Sequence, residues 1–171
     1  HWSVSNDCGT IVMPTGTGKT ETMISALIYR QCQKVLVLVP SNVLRKQMSE
    51  KFLSLGCLQE VGIIPQEVLN PRVAIIEHGI KNLPELMELL NNSNVIVATS
   101  SALNNFSDEV KEALAKQCSH LFIDEAHHVP AQTWENIKQL FKGKLILQFT
   151  ATPFRRDGKR IEGNIIYNYP L

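Results

Sequence analysis

Apolar residues in this chain fall in short unbroken runs separated by stretches of helical spacing. Gly9 to Met13, Lys34 to Val39, Val73 to Glu77, Val95 to Ala98, Leu121 to Asp124 and Lys144 to Phe149 read as strands, with a last one at Ile165 to Tyr169. Runs without alternation suit strands covered on both faces. Thr20 to Gln31 reads as a helix, and so do about residues 42–55, from the cap Ser41 to Gly56. Leu83 to Leu90 is a helix with Pro84 in its first turn. Ser100 to Leu103 starts a short helical turn. About residues 108–117 follow the cap Ser107, with acidic Asp108 and Glu109 where the helix dipole favours them. Ala131 to Phe141 is the last helix, and Val61 to Asn70 is irregular, a short strand or a loop. Strands alternate with helices throughout, so the expected class is α/β: a mostly parallel sheet with helices on both faces. Ligands of such sheets bind at the carboxyl ends of the strands. The informative residues lie there: after Met13, after Val39, after Ala98, at Asp124 and after Phe149.

The first of these junctions carries the strongest chemistry. Pro14-Thr15-Gly16-Thr17-Gly18-Lys19-Thr20 joins a strand to a helix. Pro14 cannot continue a ladder, and Gly16 and Gly18 let the backbone approach a ligand closely. Successive amides and the helix start form an anion-binding concavity. In such a phosphate loop Lys19 reaches the β- and γ-phosphates and the Thr20 hydroxyl ligates Mg²⁺. An ordinary Gly-bearing turn is the plain alternative, but Gly-x-Gly-Lys-Thr between strand and helix rarely arises without a nucleotide. Met13 stands where the first Gly of the general pattern would be.

Composition narrows the rest. The chain has 171 residues, enough for one domain, and 44% of them are hydrophobic, enough for a core. Lys plus Arg is 17 and Asp plus Glu is 16, so the net charge of +1 gives no bulk case for a nucleic-acid partner. Any such site must be a local patch. Cys8, Cys32, Cys57 and Cys118 are scattered with no Cys-x-x-Cys pair, which argues for reduced thiols and against zinc or a disulfide framework. His127-His128 does not revive zinc, since adjacent side chains diverge and no third ligand is near. No apolar run is long enough for a membrane span and no signal peptide is seen, so a cytoplasmic location is expected, nuclear if the source is eukaryotic. The start at His1 and the end at Tyr169-Pro170-Leu171 suggest a domain excised from a longer chain.

Leu121-Phe122-Ile123 ends in Asp124-Glu125. A carboxylate at a strand tip suits a Mg²⁺ shell, because that ion takes oxygen ligands and keeps several waters. Asp124 is the metal candidate. Glu125, pointing differently, is the candidate for orienting the attacking water. Alone, the pair would be an acidic turn; opposite a phosphate loop it is the second half of a nucleotide site.

Asp124-Glu125-Ala126-His127 matches the DEAH box, and here the chain resembles the superfamily-two helicases and translocases. Met13 to Thr20 resembles their motif I. Val39 to Gln47 resembles motif Ia, Ala98 to Leu103 motif Ib, and Thr150-Ala151-Thr152-Pro153 motif III. The set is specific in this order, although each short motif is weak alone. Thr150 to Lys159 also resembles the branch of type III restriction subunits and DNA-repair translocases, which leans the substrate toward DNA. The resemblance implies a RecA-like P-loop domain over the whole chain, with the motif III strand inserted between the motif I and motif II strands. It implies ATP with Mg²⁺, and coupling through His127, Thr150 and Thr152. It implies nucleic acid as partner, a second RecA-like domain supplying arginine fingers, and restriction or repair subunits as further partners.

Other residues carry two readings each. Arg45, Lys46 and Lys51 are a solvated helix face or part of a phosphate-backbone site. Ser41, Asn42, Arg45, Thr99 and Ser100 are the nucleic-acid candidates of motifs Ia and Ib, and Arg155 and Arg156 those of the later basic cluster. No aromatic residue is interleaved to stack bases, which favours backbone tracking. Trp134 reads as packing or surface rather than base stacking, and His128 as a loop or solvent-facing residue. The rival functions are a stand-alone nucleotide switch or kinase, and an assembly module of a restriction or repair complex.

Overall fold

A computed structural model describes residues 8–155 and 158–169. Its strands are β1 (Cys8–Val12), β2 (Val35–Val39), β3 (Val73–Ile76), β4 (Val95–Thr99), β5 (His120–Ile123), β6 (Leu145–Thr150) and β7 (Asn164–Asn168). Its α-helices are α1 (Lys19–Tyr29), α2 (Asn42–Ser54), α3 (Leu83–Asn91), α4 (Ser100–Asn104), α5 (Asp108–Gln117) and α6 (Ala131–Leu140). The strands form one seven-stranded sheet in the order β3-β4-β2-β5-β6-β1-β7. Every pairing is parallel. β6, which carries the Thr150 segment, lies between β1 and β5 as the family resemblance implied.

Alternation along the buried strands splits the core in two. Leu36, Leu38, Ile96, Ala98, Leu121, Ile123 and Ile146 pack on one face with residues of α3 to α6. Val35, Val37, Val39, Val95, Val97, Phe122, Leu147 and Phe149 pack on the other with Met23, Ile24 and Leu27 of α1 and Met48 and Phe52 of α2. Each fully buried side chain of this kind contributes roughly 1.5–3 kcal/mol. The unbroken runs of the sequence are therefore strands with a helix layer on either side.

The ends of the elements differ slightly from the sequence reading, and the differences concern the site. β1 stops at Val12, but Met13 N–H still donates to Thr150 O at 2.8 Å. β5 stops at Ile123, while Asp124 N–H reaches Leu38 O at 2.8 Å. α1 ends at Tyr29 because Gln31 turns left-handed at φ 48. Residues 61–70 contain turns and no strand. Side chains of Ser41, Asn82, Thr99 and Ser107 cap α2, α3, α4 and α5 by accepting from backbone N–H groups. Among the described residues no helix is long and apolar enough to cross a membrane.

Candidate functional site

The loop from Pro14 to Gly18 leaves β1, one strand in from the β7 edge, at the sheet's carboxyl ends. Gly16 and Gly18 take φ of 83 and 92, a region that suits glycine. A Cβ on Gly16 would meet nothing within 4 Å, so the space beside it is open. Thr17 Oγ1 donates to Pro14 O at 2.7 Å and closes the turn. Thr15 stays exposed. Gly18 is the N-cap of α1 and has no side chain to offer, so no side chain caps that helix start. Met13 is buried, and Thr22 Oγ1 lies 3.6 Å from its Sδ. It is not among the residues of positive φ, so this position does not require glycine.

Lys19, first residue of α1, points at the end of β5. Its Nζ lies 2.6 Å from Glu125 Oε1. Thr20 follows it, half-buried. Asp124 is 6% exposed, and its Oδ1 accepts the Glu125 N–H at 3.0 Å. Burial, then the neighbouring Glu125 charge, pushes the Asp124 carboxyl up to about 6, against the pull of Lys19. Glu125 itself sits at φ 47, ψ 51. That conformation costs a side-chain-bearing residue roughly 1–2 kcal/mol. It swings the Glu125 side chain away from that of Asp124 and toward Lys19. Glu125 Oε2 is buried without a hydrogen-bond partner, although His127 Nδ1 is 3.4 Å away.

From there the contacts run into β6. His127 Nδ1 is 2.9 Å from Thr150 Oγ1. The Thr150 hydroxyl donates its one proton to Thr152 O at 2.7 Å, so His127 Nδ1 is the donor to Thr150. Thr152 departs from the expectation. Its hydroxyl accepts from Phe154 N–H at 3.3 Å and makes no bond to residues 124–127, so it joins the network only through Thr150.

The fit to a magnesium polyphosphate follows from these contacts. An uncapped helix start, an ammonium held by a carboxylate that an anion can replace, a carboxylate pushed up by burial and its charged neighbour, and an orphaned buried oxygen are complementary to phosphate, Mg²⁺ and water. No group of three or more His, Cys, Asp or Glu placed to hold a metal exists among the described residues.

A groove lies beside this site. About 540 Å³ is bounded by Pro40, Ser41 and Leu44, by Ser100, Ser101 and Asn104, and by His128, Val129, Pro130 and Thr133. Of the nucleic-acid candidates, Ser41 and Ser100 line it. Asn42 is exposed at the start of α2. Arg45 is turned inward instead. It is 7% exposed, and its guanidinium donates to Ile76 O at 3.1 Å and Glu77 O at 3.3 Å. Thr99 is also buried, its hydroxyl spent on the Ala102 N–H and on Ser101 Oγ. Arg155 lies away from the groove, beside Glu162 and Trp134, and Arg156 falls outside the described residues. Ser101, Asn104, His128, Pro130 and Thr133 were not singled out from sequence as groove residues. The helical spacing of Ser100 and Asn104 was the available signal. Trp134 is buried, as packing requires.

The family of the type III restriction enzyme, res subunit, matches residues 2–155. The chain belongs to that family. Solved helicase structures share its fold: the helicase domain of Hef from Pyrococcus furiosus superposes with a TM-score of 0.60 at 28% identity, over 89% of this chain and 32% of that one. The UvsW helicase of bacteriophage T4 superposes at 0.61 with 18% identity, over 90% and 49%, which speaks for the fold alone. In sequence, the chain is 27% identical over 164 residues to the DNA 3'-5' translocase XPB2 of Sulfurisphaera tokodaii, covering 93% of this chain and 31% of that protein. It is 26% identical over 153 residues to a protein of Acanthamoeba polyphaga mimivirus assigned as an ATP-dependent RNA helicase, covering 88% and 24%. The chain thus spans about a quarter to a third of the length of these curated relatives. It is the RecA-like helicase or translocase ATPase domain of superfamily two.

Proposed function

We propose that this domain is the ATP-binding half of a DEAH-type motor that moves along nucleic acid, with DNA favoured over RNA. Lys19, the backbone N–H groups of Thr15 to Thr20 and the Thr20 hydroxyl would hold the phosphates and, with Asp124, Mg²⁺, which would offset the charge on the transferred phosphoryl group. Glu125 orients the attacking water. His127 and Thr150 carry the occupancy of that site to β6. The single observation behind this reading is the unbroken contact path Lys19–Glu125–His127–Thr150. The groove lined by Ser41, Ser100, Asn104 and Thr133 supports the nucleic-acid half, because it presents hydroxyls, an amide and an imidazole and no carboxylate. DNA is favoured by the likeness to the XPB2 translocase and to the restriction family, against the likeness to an RNA helicase.

The test is ATP hydrolysis by the full-length protein with Mg²⁺ and with DNA, RNA or neither. Stimulation by DNA above RNA supports the reading; hydrolysis indifferent to both would leave a nucleotide switch. The family's name supports a second reading, an assembly module of a restriction complex. Glu125→Gln separates the two. A motor stalls after binding ATP, whereas an assembly module still forms its complex and works. We further propose that a second RecA-like domain completes the site, so that residues 1–171 alone turn over ATP roughly 10³–10⁵-fold more slowly, the usual worth of an arginine finger.

A further inference from the structure

Two histidines follow each other in the turn after Glu125 and serve different cavities. His127 faces the nucleotide side, against Thr150 and Glu125. His128 is exposed and lines the groove with Ser41, Ser100 and Thr133. Their rings touch, with centroids 4.1 Å apart and planes tilted by 38°. The turn is a single 3₁₀ unit: His128 N–H donates to Glu125 O at 2.8 Å and Val129 N–H to Ala126 O at 3.2 Å. Its N-cap is the left-handed Glu125, whose carboxylate Lys19 holds.

These contacts tie the groove wall to the phosphate loop. An anion in the loop competes for Lys19 and releases the Glu125 carboxylate. A residue held at φ 47 has lower-energy backbone to relax into once that tether is gone. Rotation at Glu125 carries the turn behind it. The other groove donors, Ser41, Ser100, Ser101, Asn104 and Thr133, ride on helices packed against the sheet. Of the lining residues on or next to the turn, His128, Val129 and Pro130, His128 alone has a side-chain donor.

We propose that His128 is a positioning residue through which the phosphate loop alters the groove's grip on a nucleic-acid strand. Its imidazole donates to a backbone oxygen of the strand, and its placement follows Glu125 and His127. The proposal rests on the reading of the groove as the nucleic-acid track.

The test measures, in the full-length protein, the Kd of fluorescent oligothymidylate and oligouridylate with and without a non-hydrolysable ATP analogue and Mg²⁺. The ratio of the two Kd values is the coupling, and allosteric couplings usually run at about 5–150-fold. In His128→Ala the ratio collapses to within about twofold of one, and in His128→Gln, which keeps a side-chain donor, most of it returns. Three results overturn the proposal: a wild-type ratio of one, a wild-type ratio surviving in His128→Ala, or no recovery in His128→Gln. An equal loss of affinity in both nucleotide states also overturns it and makes His128 a plain contact. Failure of the underlying reading looks different. Thr133→Glu puts a carboxylate into the groove, and unchanged affinity of that variant in both states would remove the track itself.

Discussion

Glu125 and Asp124 are neighbours with opposite situations. Glu125 is tethered to an ammonium, whereas Asp124 is buried with its carboxyl pushed up to about 6. Two predictions follow from that contrast. Glu125→Gln in the full-length protein lowers kcat by roughly 10²–10⁴-fold, the usual worth of a positioned proton-handling group. It also tightens nucleotide binding, because the carboxylate that competes for Lys19 has been neutralised; titration with a fluorescent nucleotide checks both the sign and the size. Asp124 sets a pH dependence in the nucleotide-free, metal-free protein. Folded, the carboxyl keeps its proton up to about 6; unfolded, only up to the ordinary 3.8. The folded state therefore holds more protons between these values, and stability falls as pH rises through that window, by roughly 3 kcal/mol in all. Asp124→Asn flattens this part of the profile and raises Tm by several degrees at neutral pH, while Mg²⁺-dependent nucleotide binding is lost. Thermal melts across pH check it. The placement of both residues at the tip of β5, against the phosphate loop, was legible in sequence, because an apolar strand of a parallel sheet ends at its carboxyl edge. The left-handed backbone of Glu125 was not legible, since nothing in a run of Asp-Glu-Ala-His announces a turn of that hand.

At the scale of elements, β1, β2, β4, β5 and β6 were legible because burial on both faces leaves an unbroken apolar run. Which side of a helix faces inward was harder. Arg45 lies in α2 among Met48, Ser49 and Phe52, and its charge suggested the outer face. The structure uses it as a peg between α2 and the end of β3, through the Ile76 and Glu77 carbonyls. Thr99 was misjudged in a similar way. A hydroxyl at the end of a strand can face a ligand or cap the next helix, and here it caps α4. Arg45→Met therefore destabilises the fold by roughly 2–4 kcal/mol, since two carbonyls lose a charged donor in a buried place. Urea denaturation measures this. Nucleic-acid affinity per folded molecule stays near wild type, and a large loss there would return Arg45 to the groove.

For the molecule as a whole, the site is a seam between distant parts of the chain. Residues 14–20, 124–127 and 150 meet because parallel strands present all their carboxyl ends along one edge. That is why motifs read separately from sequence fall together in the fold. The groove was less legible, because it is bounded by three such ends at once and no single motif spans it. The seam also predicts linkage. Mg²⁺ with ATP at about a hundred times its Kd stabilises the full-length protein by about 2.7 kcal/mol. Chelation of the metal removes most of that gain, as does Lys19→Ala, and differential scanning calorimetry follows it.

The strand order carries a consequence for synthesis. Among the described residues β1 pairs only with β6 and β7, both from the last part of the chain. A nascent polypeptide leaving the ribosome therefore carries its phosphate loop on an orphan strand until residues 145–150 emerge and slot beside β5. Nucleotide cannot assist the early stages of folding, and the two halves of its binding place are joined by one of the final ladders to close.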